Sequence, residues 1–590
     1  MTESDANKKL MTELLSILHV NRAVLDEKGL NAYKYLRQQG YHKFDYDERT
    51  KTVFINDLIS SPDGLDDNDC YHNQCTLYKT RVLDHQGSPI YSKKVILMSD
   101  DLNFADFSAS EIIAAAKQRY SDEYMPNPLF ENQAYTEHPE LIAPSNETHP
   151  ATDVFIITSR DEVESPLLKS AVEKNPISII RGLVEVCGID TSKFSTKSAI
   201  KANKDLKIEE RWQNYGEDDR SWNCDSTEAA CETVLEFTKY QSDTFKKTIS
   251  HVSRKTRKIS DDVSKNDEGA GTSRNTEKQR LNNSPYGRVY FGTNANLTVT
   301  RWHKQLNELK KLPSFLRHDS YLNGLSRINK KIDGVNTVQL YMTVPGAKIT
   351  AHQERDHLTL VNFNVGPGSM EWYCVPHDYW GDVKRMCQER NVDFYGTFWP
   401  TVKELIDAGI PIYKCIQKPG DVIYINPGCV HWAKASSWNN FVSWNVFPIT
   451  QNQIQTALQA HKFYATNGKH SLIPMEHTMW TTAIRETFTS AETFRLVRQA
   501  VICSLNHSVY VHELAKEWNK KVLQKPYGHS FKVYQCCICS TEIFNDLFYQ
   551  CNQLYCVYCA VRSGLEQFKY YEQVDVATLG KILDGMKLVE

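Results

Sequence analysis

The chain has 590 residues, 69 basic and 72 acidic side chains, a net charge of −3 and 41% hydrophobic residues. That length exceeds one typical domain and supplies apolar material for a sizeable core, while near-neutrality excludes an overall field that would draw the chain to nucleic acid. No apolar run of about 18 residues is present to cross a membrane, and the start of the chain lacks the cationic and apolar blocks of a secretory signal, so the 16 cysteines are expected to stay reduced in cytosol or nucleus.

Residues 10–18 have the apolar spacing of a helix. Cys70 and Cys75, with His72 between them, lack a second ligand pair and read as structural or free thiols. Ser108-Ala109-Ser110-Glu111 ahead of Ile112-Ile113-Ala114 is a capping box, which predicts a helix start. Nothing else in residues 1–150 points to a role. Residues 151–249 are expected as a helical segment, and 250–284, rich in Lys, Arg, Ser, Asp and Gly, as a disordered insertion. The run Ser253-Arg254-Lys255-Thr256-Arg257-Lys258 inside it reads either as a nuclear import signal or as a solvated charge run.

From 285 to 465 the pattern changes to short β-forming runs ended by glycine turns. Val338-Gln339-Leu340-Tyr341-Met342-Thr343-Val344 stops at Pro345-Gly346, and Leu358-Thr359-Leu360-Val361-Asn362-Phe363 continues to Gly366-Pro367-Gly368. Val422-Ile423-Tyr424-Ile425 and Phe441-Val442-Ser443-Trp444-Asn445-Val446 follow. Such a series predicts a mainly β barrel or jelly roll with flanking helices. Inside it stand His352-Gln353-Glu354 and, far downstream, His431. Residues two apart on a strand share a face, so His352 and Glu354 are expected to grip one metal with His431. Two histidines and a carboxylate on one side of a metal form the facial triad of non-haem iron(II) oxygenases. The string by itself is weak, since 19 histidines and 72 acidic residues give roughly two chance matches. His138-Pro139-Glu140 is such a decoy, set among Pro126, Pro128, Pro144 and Pro150 in what reads as an exposed linker.

Residues 453–525 read as mostly helical, with 466–530 a helical linker to a module at 531–590. There Cys536-x2-Cys539 and Cys556-x2-Cys559 have the spacing of paired zinc knuckles, four thiolates closing a tetrahedron. A disulfide pair or reactive thiols is the competing reading, and Cys537 and Cys551 leave the ligand choice open.

Val154-Phe155-Ile156, Ile180-Arg181-Gly182-Leu183, Phe291-Gly292-Thr293-Asn294, the Tyr341 strand, His352-Gln353-Glu354, Glu371-Trp372 and Pro419-Gly420-Asp421 occur in one order ahead of the cysteine module. In this the chain resembles the JmjC histone lysine demethylases of the UTX type. The resemblance implies a double-stranded β-helix (cupin-like jelly roll), Fe(II), 2-oxoglutarate and Zn2+. It also implies action in the nucleus on trimethyl- and dimethyl-lysine 27 of the histone H3 tail in nucleosomes, chromatin-modifying complexes as partners, and a zinc module that helps grip the tail. Tyr341 aligns with the tyrosine near the methylammonium, and Asn362 with an asparagine on the cosubstrate.

The sequence departs from the family where the far carboxylate of 2-oxoglutarate is held. The family lysine and threonine fall on Thr343 and Ile349, a serine near the methyl groups on Leu360, and the alternative lysine position reads Gly368-Ser369-Met370. A buried carboxylate needs a charge partner, so one expectation is that Lys348, or else Lys434, meets it while Thr343 donates a hydrogen bond. The other is a chain that keeps fold and metals but serves as a histone-tail binding scaffold. A third class, a dioxygenase that hydroxylates protein side chains, is allowed by the triad alone.

Overall fold

The computed structural model describes residues 108–120, 125–129, 144–214, 222, 224, 230–263, 288–297, 300–328, 330–395, 398–466, 471–524 and 531–589, with three short strands before residue 56. The predicted helix at 10–18, the Cys70 and Cys75 pair and His138 lie outside the described residues. Two compact units emerge, one of residues 138–326 and 331–448, the other of 1–137, 327–330 and 449–590.

The first unit is built on two sheets. Its strands in chain order are β1 (Asp153–Ile156), β2 (Ile177–Arg181), β3 (Lys207–Asn214), β4 (Ala230–Thr233), β5 (Arg288–Asn296), β6 (Gln339–Thr343), β7 (Lys348–His352), β8 (Thr359–Pro367), β9 (Met370–Val375), β10 (Tyr413–Gln417), β11 (Val422–Ile425), β12 (Val430–Ala435) and β13 (Asn439–Val446). Nine of them pair in the order β1-β2-β11-β8-β13-β6-β5-β3-β4, and four in the order β7-β12-β9-β10.

Alternation along the strands explains the layering, because successive side chains leave a strand on opposite faces. Ile423, Ile425, Leu360 and Phe441 join Trp372, Cys374, Ala433 and Ala435 of the four-stranded sheet in one buried cluster. Their neighbours Val422, Tyr424, Val361, Phe363, Val442 and Trp444 enter a second cluster with Leu183, Phe237 and Leu316. The central strands of the nine-stranded sheet are therefore buried on both faces, and the two sheets form a cupin-like β-sandwich. Residues 151–249, expected to be helical, supply β1 to β4, since Ile177-Ser178-Ile179-Ile180 is a buried apolar run whose β-branched side chains suit a sheet centre. The helix Val234–Val263 runs into the segment expected to be disordered.

In the second unit the capping box forms as predicted. Ser108 caps the helix Ala109–Arg119, and Glu111 reaches back to the cap backbone at 2.8 Å. The helices Gln451–Thr466, Met475–Arg485 and Ala491–Glu517 fill the region read as helical. Val511, Leu514 and Ala515 of the last pack against Phe548, Val557, Phe568 and Tyr570 of the cysteine module. Among the described residues no helix is long and apolar enough to cross a membrane.

Candidate functional site

β7 and β12 run antiparallel with His352 directly opposite His431, and a register irregularity falls between Ile349 and His352. A bulge of this kind re-aims the side chains beyond it, so His352 joins the face of Ile349 rather than that of Lys348. The strand ends at His352, and Glu354 arrives from the turn that precedes Arg355–His357. The expectation that His352 and Glu354 share a strand face is therefore replaced by a bulge and a turn that bring them to one place. Gly428, at φ +73°, turns the chain toward His431 where a side chain would strike His377 at 2.2 Å.

The ligand atoms of His352, Glu354 and His431 lie within 4.8 Å of one another. Oε1 of Glu354 is 3.5 Å from Nε2 of His352 and 3.3 Å from Nε2 of His431. Each Nδ1 faces a backbone carbonyl, Thr350 O at 2.7 Å for His352 and Cys429 O at 3.1 Å for His431. Carbonyls only accept, so both Nδ1 atoms carry the proton and both Nε2 atoms offer a lone pair, the tautomer a metal needs. His431 Nε2 is buried without a hydrogen-bond partner, which a divalent metal would satisfy. Burial alone raises the Glu354 carboxyl, but the two imidazoles outweigh it and hold the group well below the usual carboxylate range. Burial pushes His431 down. For His352 burial acts the same way, but Glu354 outweighs it and the net shift is upward. Asn445 Nδ2 donates to the other oxygen of Glu354 at 3.0 Å and fixes its orientation. His352 is 41% exposed and His431 1%, so the triad opens on the His352 side.

Tyr341 sits beside this triad. Its ring stacks on Phe441 at 4.8 Å and on Phe291 at 6.1 Å, and its hydroxyl donates to Gln339 Oε1 at 2.8 Å. Burial, with the nearby Glu354 charge, pushes its hydroxyl well above the usual range. Glu209 and Arg211 of β3 act electrostatically on Tyr341, and Arg211 also on His352. They pair with each other at 3.2 Å. Sequence reading missed Glu209, Arg211 and Asn445. The alternation of Ile208 with Glu209 and Arg211 was the available signal, obscured because Glu210 interrupts the apolar face of Ile208 and Trp212.

The residues nominated for the cosubstrate are placed differently from expectation. Asn362 is buried, its Oδ1 accepting from Gln417 Nε2 at 3.1 Å, and Gln417 Oε1 in turn accepts from Trp372 Nε1 at 2.8 Å. Thr343 is fully buried and donates its hydroxyl to Asn439 O at 3.2 Å, so that proton is already committed. Lys348 leaves β7 opposite Ile349, its ammonium 4.7 Å above the Trp399 ring and its backbone held by Gln213. Lys434 is exposed, on the β12 face opposite His431 and Ala433. Leu360 and Ile349 are packed in the apolar cluster between the sheets.

The second candidate centre joins Cys536, Cys539, Cys556 and Cys559, all buried, with sulfurs within 4.8 Å of one another. Cys539 and Cys556 sulfurs are 3.7 Å apart. A disulfide would bring them to about 2.05 Å, whereas a tetrahedron with Zn–S of about 2.3 Å spaces sulfurs about 3.8 Å apart. Cys537 and Cys551 are exposed and stand outside the cluster. Each knuckle closes on backbone bonds, Ser540 N to Cys536 O at 2.9 Å and Ala560 N to Cys556 O at 3.0 Å.

Residues 339–446 match the family model described as JmjC domain, hydroxylase. The chain is 31% identical over 459 residues to Lysine-specific demethylase 6B of Homo sapiens, covering 74% of this chain and 28% of that protein. It is 27% identical over 526 residues to Lysine-specific demethylase jmjd-3.1 of Caenorhabditis elegans, covering 81% of this chain and 48% of that protein. The chain thus spans less than half the length of these two curated relatives.

Proposed function

Because the chain belongs to the JmjC family of the UTX type, we propose that it is an iron(II)- and 2-oxo acid-dependent dioxygenase that demethylates trimethyl- and dimethyl-lysine on histone H3, with lysine 27 the mark. The observation that carries this reading is the convergence of His352, Glu354 and His431 with both Nδ1 protons turned to backbone carbonyls. The sandwich is read as the double-stranded β-helix of that family, and the metals as Fe(II) at the triad and Zn2+ at the four cysteines.

Iron(II) with its 2-oxo acid would supply the oxidation that turns an N-methyl group into N-hydroxymethyl, which leaves as formaldehyde. The chain's own residues do the rest. His352, Glu354 and His431 hold the metal, and Asn445 keeps the Glu354 carboxylate aimed at it. Tyr341, held by Phe441 and Phe291, gives the methylammonium an aromatic face and an oxygen. Glu209 adds a carboxylate for the same cation. Asn362 contacts the cosubstrate. The zinc module grips the histone tail beyond the methylated lysine, in the nucleus and in company with chromatin-modifying complexes, without sequence-specific contacts to nucleic acid.

The test is mass spectrometry of a trimethylated histone H3 lysine 27 peptide after incubation with Fe(II)-loaded protein and a 2-oxo acid. Stepwise loss of methyl groups, abolished by His352→Ala, is expected. Tight peptide binding with no mass change would reject turnover in favour of the scaffold reading, and the absence of any preference for methylated histone peptides would reject both.

A further inference from the structure

The interior of the sandwich leads away from the triad through rows without formal charge, apart from Arg211 and Glu209 of β3, which are paired with each other at 3.2 Å. On the four-stranded sheet, the row His352, His431 and Cys374 is followed on the same face by Ile349, Ala433 and Trp372. On the facing sheet, the row that contains Asn445 is followed by Asn362, Ser443 and Gln339. Farther along stand Thr343 and Asn439, directly opposite each other on β6 and β13.

Asn439 is 1% exposed, and neither its Nδ2 nor its Oδ1 has a hydrogen-bond partner. By strand alternation it shares the face of Phe441, which lies in the cluster between the sheets. The unsatisfied polar group at that end is thus a neutral amide. Neither cation nominated from sequence reaches it, since Lys348 lies over Trp399 and Lys434 points outward. An ionised carboxylate moved into such surroundings loses its hydration, and Arg211 is already paired with Glu209. An aliphatic tail there gains apolar burial instead.

We propose that the site prefers a 2-oxo acid with a short uncharged tail, its oxo-acid end at the triad metal and its tail among Ile349, Ala433 and Trp372, over 2-oxoglutarate. This rests on the triad reading above.

The experiment is an anaerobic titration of the Fe(II)-loaded full chain with 2-oxoglutarate and with 4-methyl-2-oxopentanoate, following the charge-transfer absorption of a 2-oxo acid chelating Fe(II). This reads binding without turnover, and iron content is measured separately. The expected result is that 4-methyl-2-oxopentanoate binds as tightly as 2-oxoglutarate or more so, in place of the roughly hundredfold advantage that a buried cation gives the diacid. Thr343→Lys, which returns a cation to that end, shifts the order toward 2-oxoglutarate. Tighter binding of 2-oxoglutarate by the unmodified chain overturns the proposal, and that comparison needs no variant to fold. Retained iron with neither acid bound also overturns it and leaves the triad standing. Failure to retain iron overturns the triad reading itself.

Discussion

Asn445→Leu isolates the residue that aims the Glu354 carboxylate. The amide donates to Glu354 Oε2 at 3.0 Å and to Thr359 O at 3.3 Å, and it is 3% exposed. Leucine keeps the branched outline of asparagine, though its methyl groups are bulkier, and both hydrogen bonds are lost. A hydrogen bond to a charged group contributes about 1.5–3 kcal/mol, and loss of a partner that orients a metal ligand commonly weakens metal binding about 10- to 100-fold. At 1.36 kcal/mol per tenfold these ranges overlap. The variant is expected to bind Fe(II), or Mn(II) as an air-stable substitute, about 10- to 100-fold more weakly in competition with a chelator of known affinity. Its thermal unfolding should stay cooperative, with as many transitions as the unmodified chain shows. Asn445→Asp places a second carboxylate against Glu354 and should weaken binding further unless it becomes a ligand itself. A leucine variant that folds and binds metal within twofold of the unmodified chain would refute the argument that Asn445 sets the geometry of Glu354.

Cys539→Ala should release about one equivalent of zinc per chain, measured by metal analysis, and lower the melting temperature of the C-terminal module; a chelator should do the same to the unmodified chain. Lys348→Met should leave 2-oxo acid affinity within about twofold, because the ammonium sits over Trp399, and cost only about 0.5–2 kcal/mol of stability through the lost cation–π contact; a tenfold loss of affinity would return Lys348 to the cosubstrate site. Burial, reinforced by Glu572, raises the Asp546 carboxyl to about 7, and burial raises Glu542 to about 7 against the backbone donors of the helix Met475–Arg485. In both cases the folded state binds a proton that the unfolded state releases near pH 4, so the contribution of these two groups to stability is greatest below that pH and falls as pH rises toward 7. Denaturant unfolding from pH 5 to 8 should show this decline, and Asp546→Asn should flatten it.

Much of the site was legible because it depends on residue type and spacing. Two Cys-x2-Cys pairs at this separation match paired knuckles, and the capping box at Ser108 and Glu111 needs nothing beyond its own turn. His352, Glu354 and His431 were found because β-forming runs bounded by glycine surround them. The strand series at 338–446 was legible for the same reason. Residues 151–249 do contain helices, among them Pro166–Val172 and Thr196–Asn203, but the strands β1 to β4 were missed because their neighbours in the sheet lie far away in sequence. Ile177-Ser178-Ile179-Ile180, for example, pairs with β11 at Val422-Ile423-Tyr424-Ile425. The helix through 263 was missed because a charged composition argues against a core but not against a helix.

Sequence by itself determined the donor atoms at both candidate metal centres and the strand periodicity that builds the sandwich, since chemical identity and two-residue alternation are local properties. Only the tertiary structure decided the direction of each side chain near the triad. A one-residue irregularity between Ile349 and His352 brings the histidine into line with His431 and leaves Lys348 on the other face. Asn445, Glu209 and Arg211 come from strands far from His352 in sequence, and the charge of the interior beyond the triad depends on which residues those strands turn inward. Pairing register is a property of the whole sheet, and a shift of one residue exchanges one face for the other.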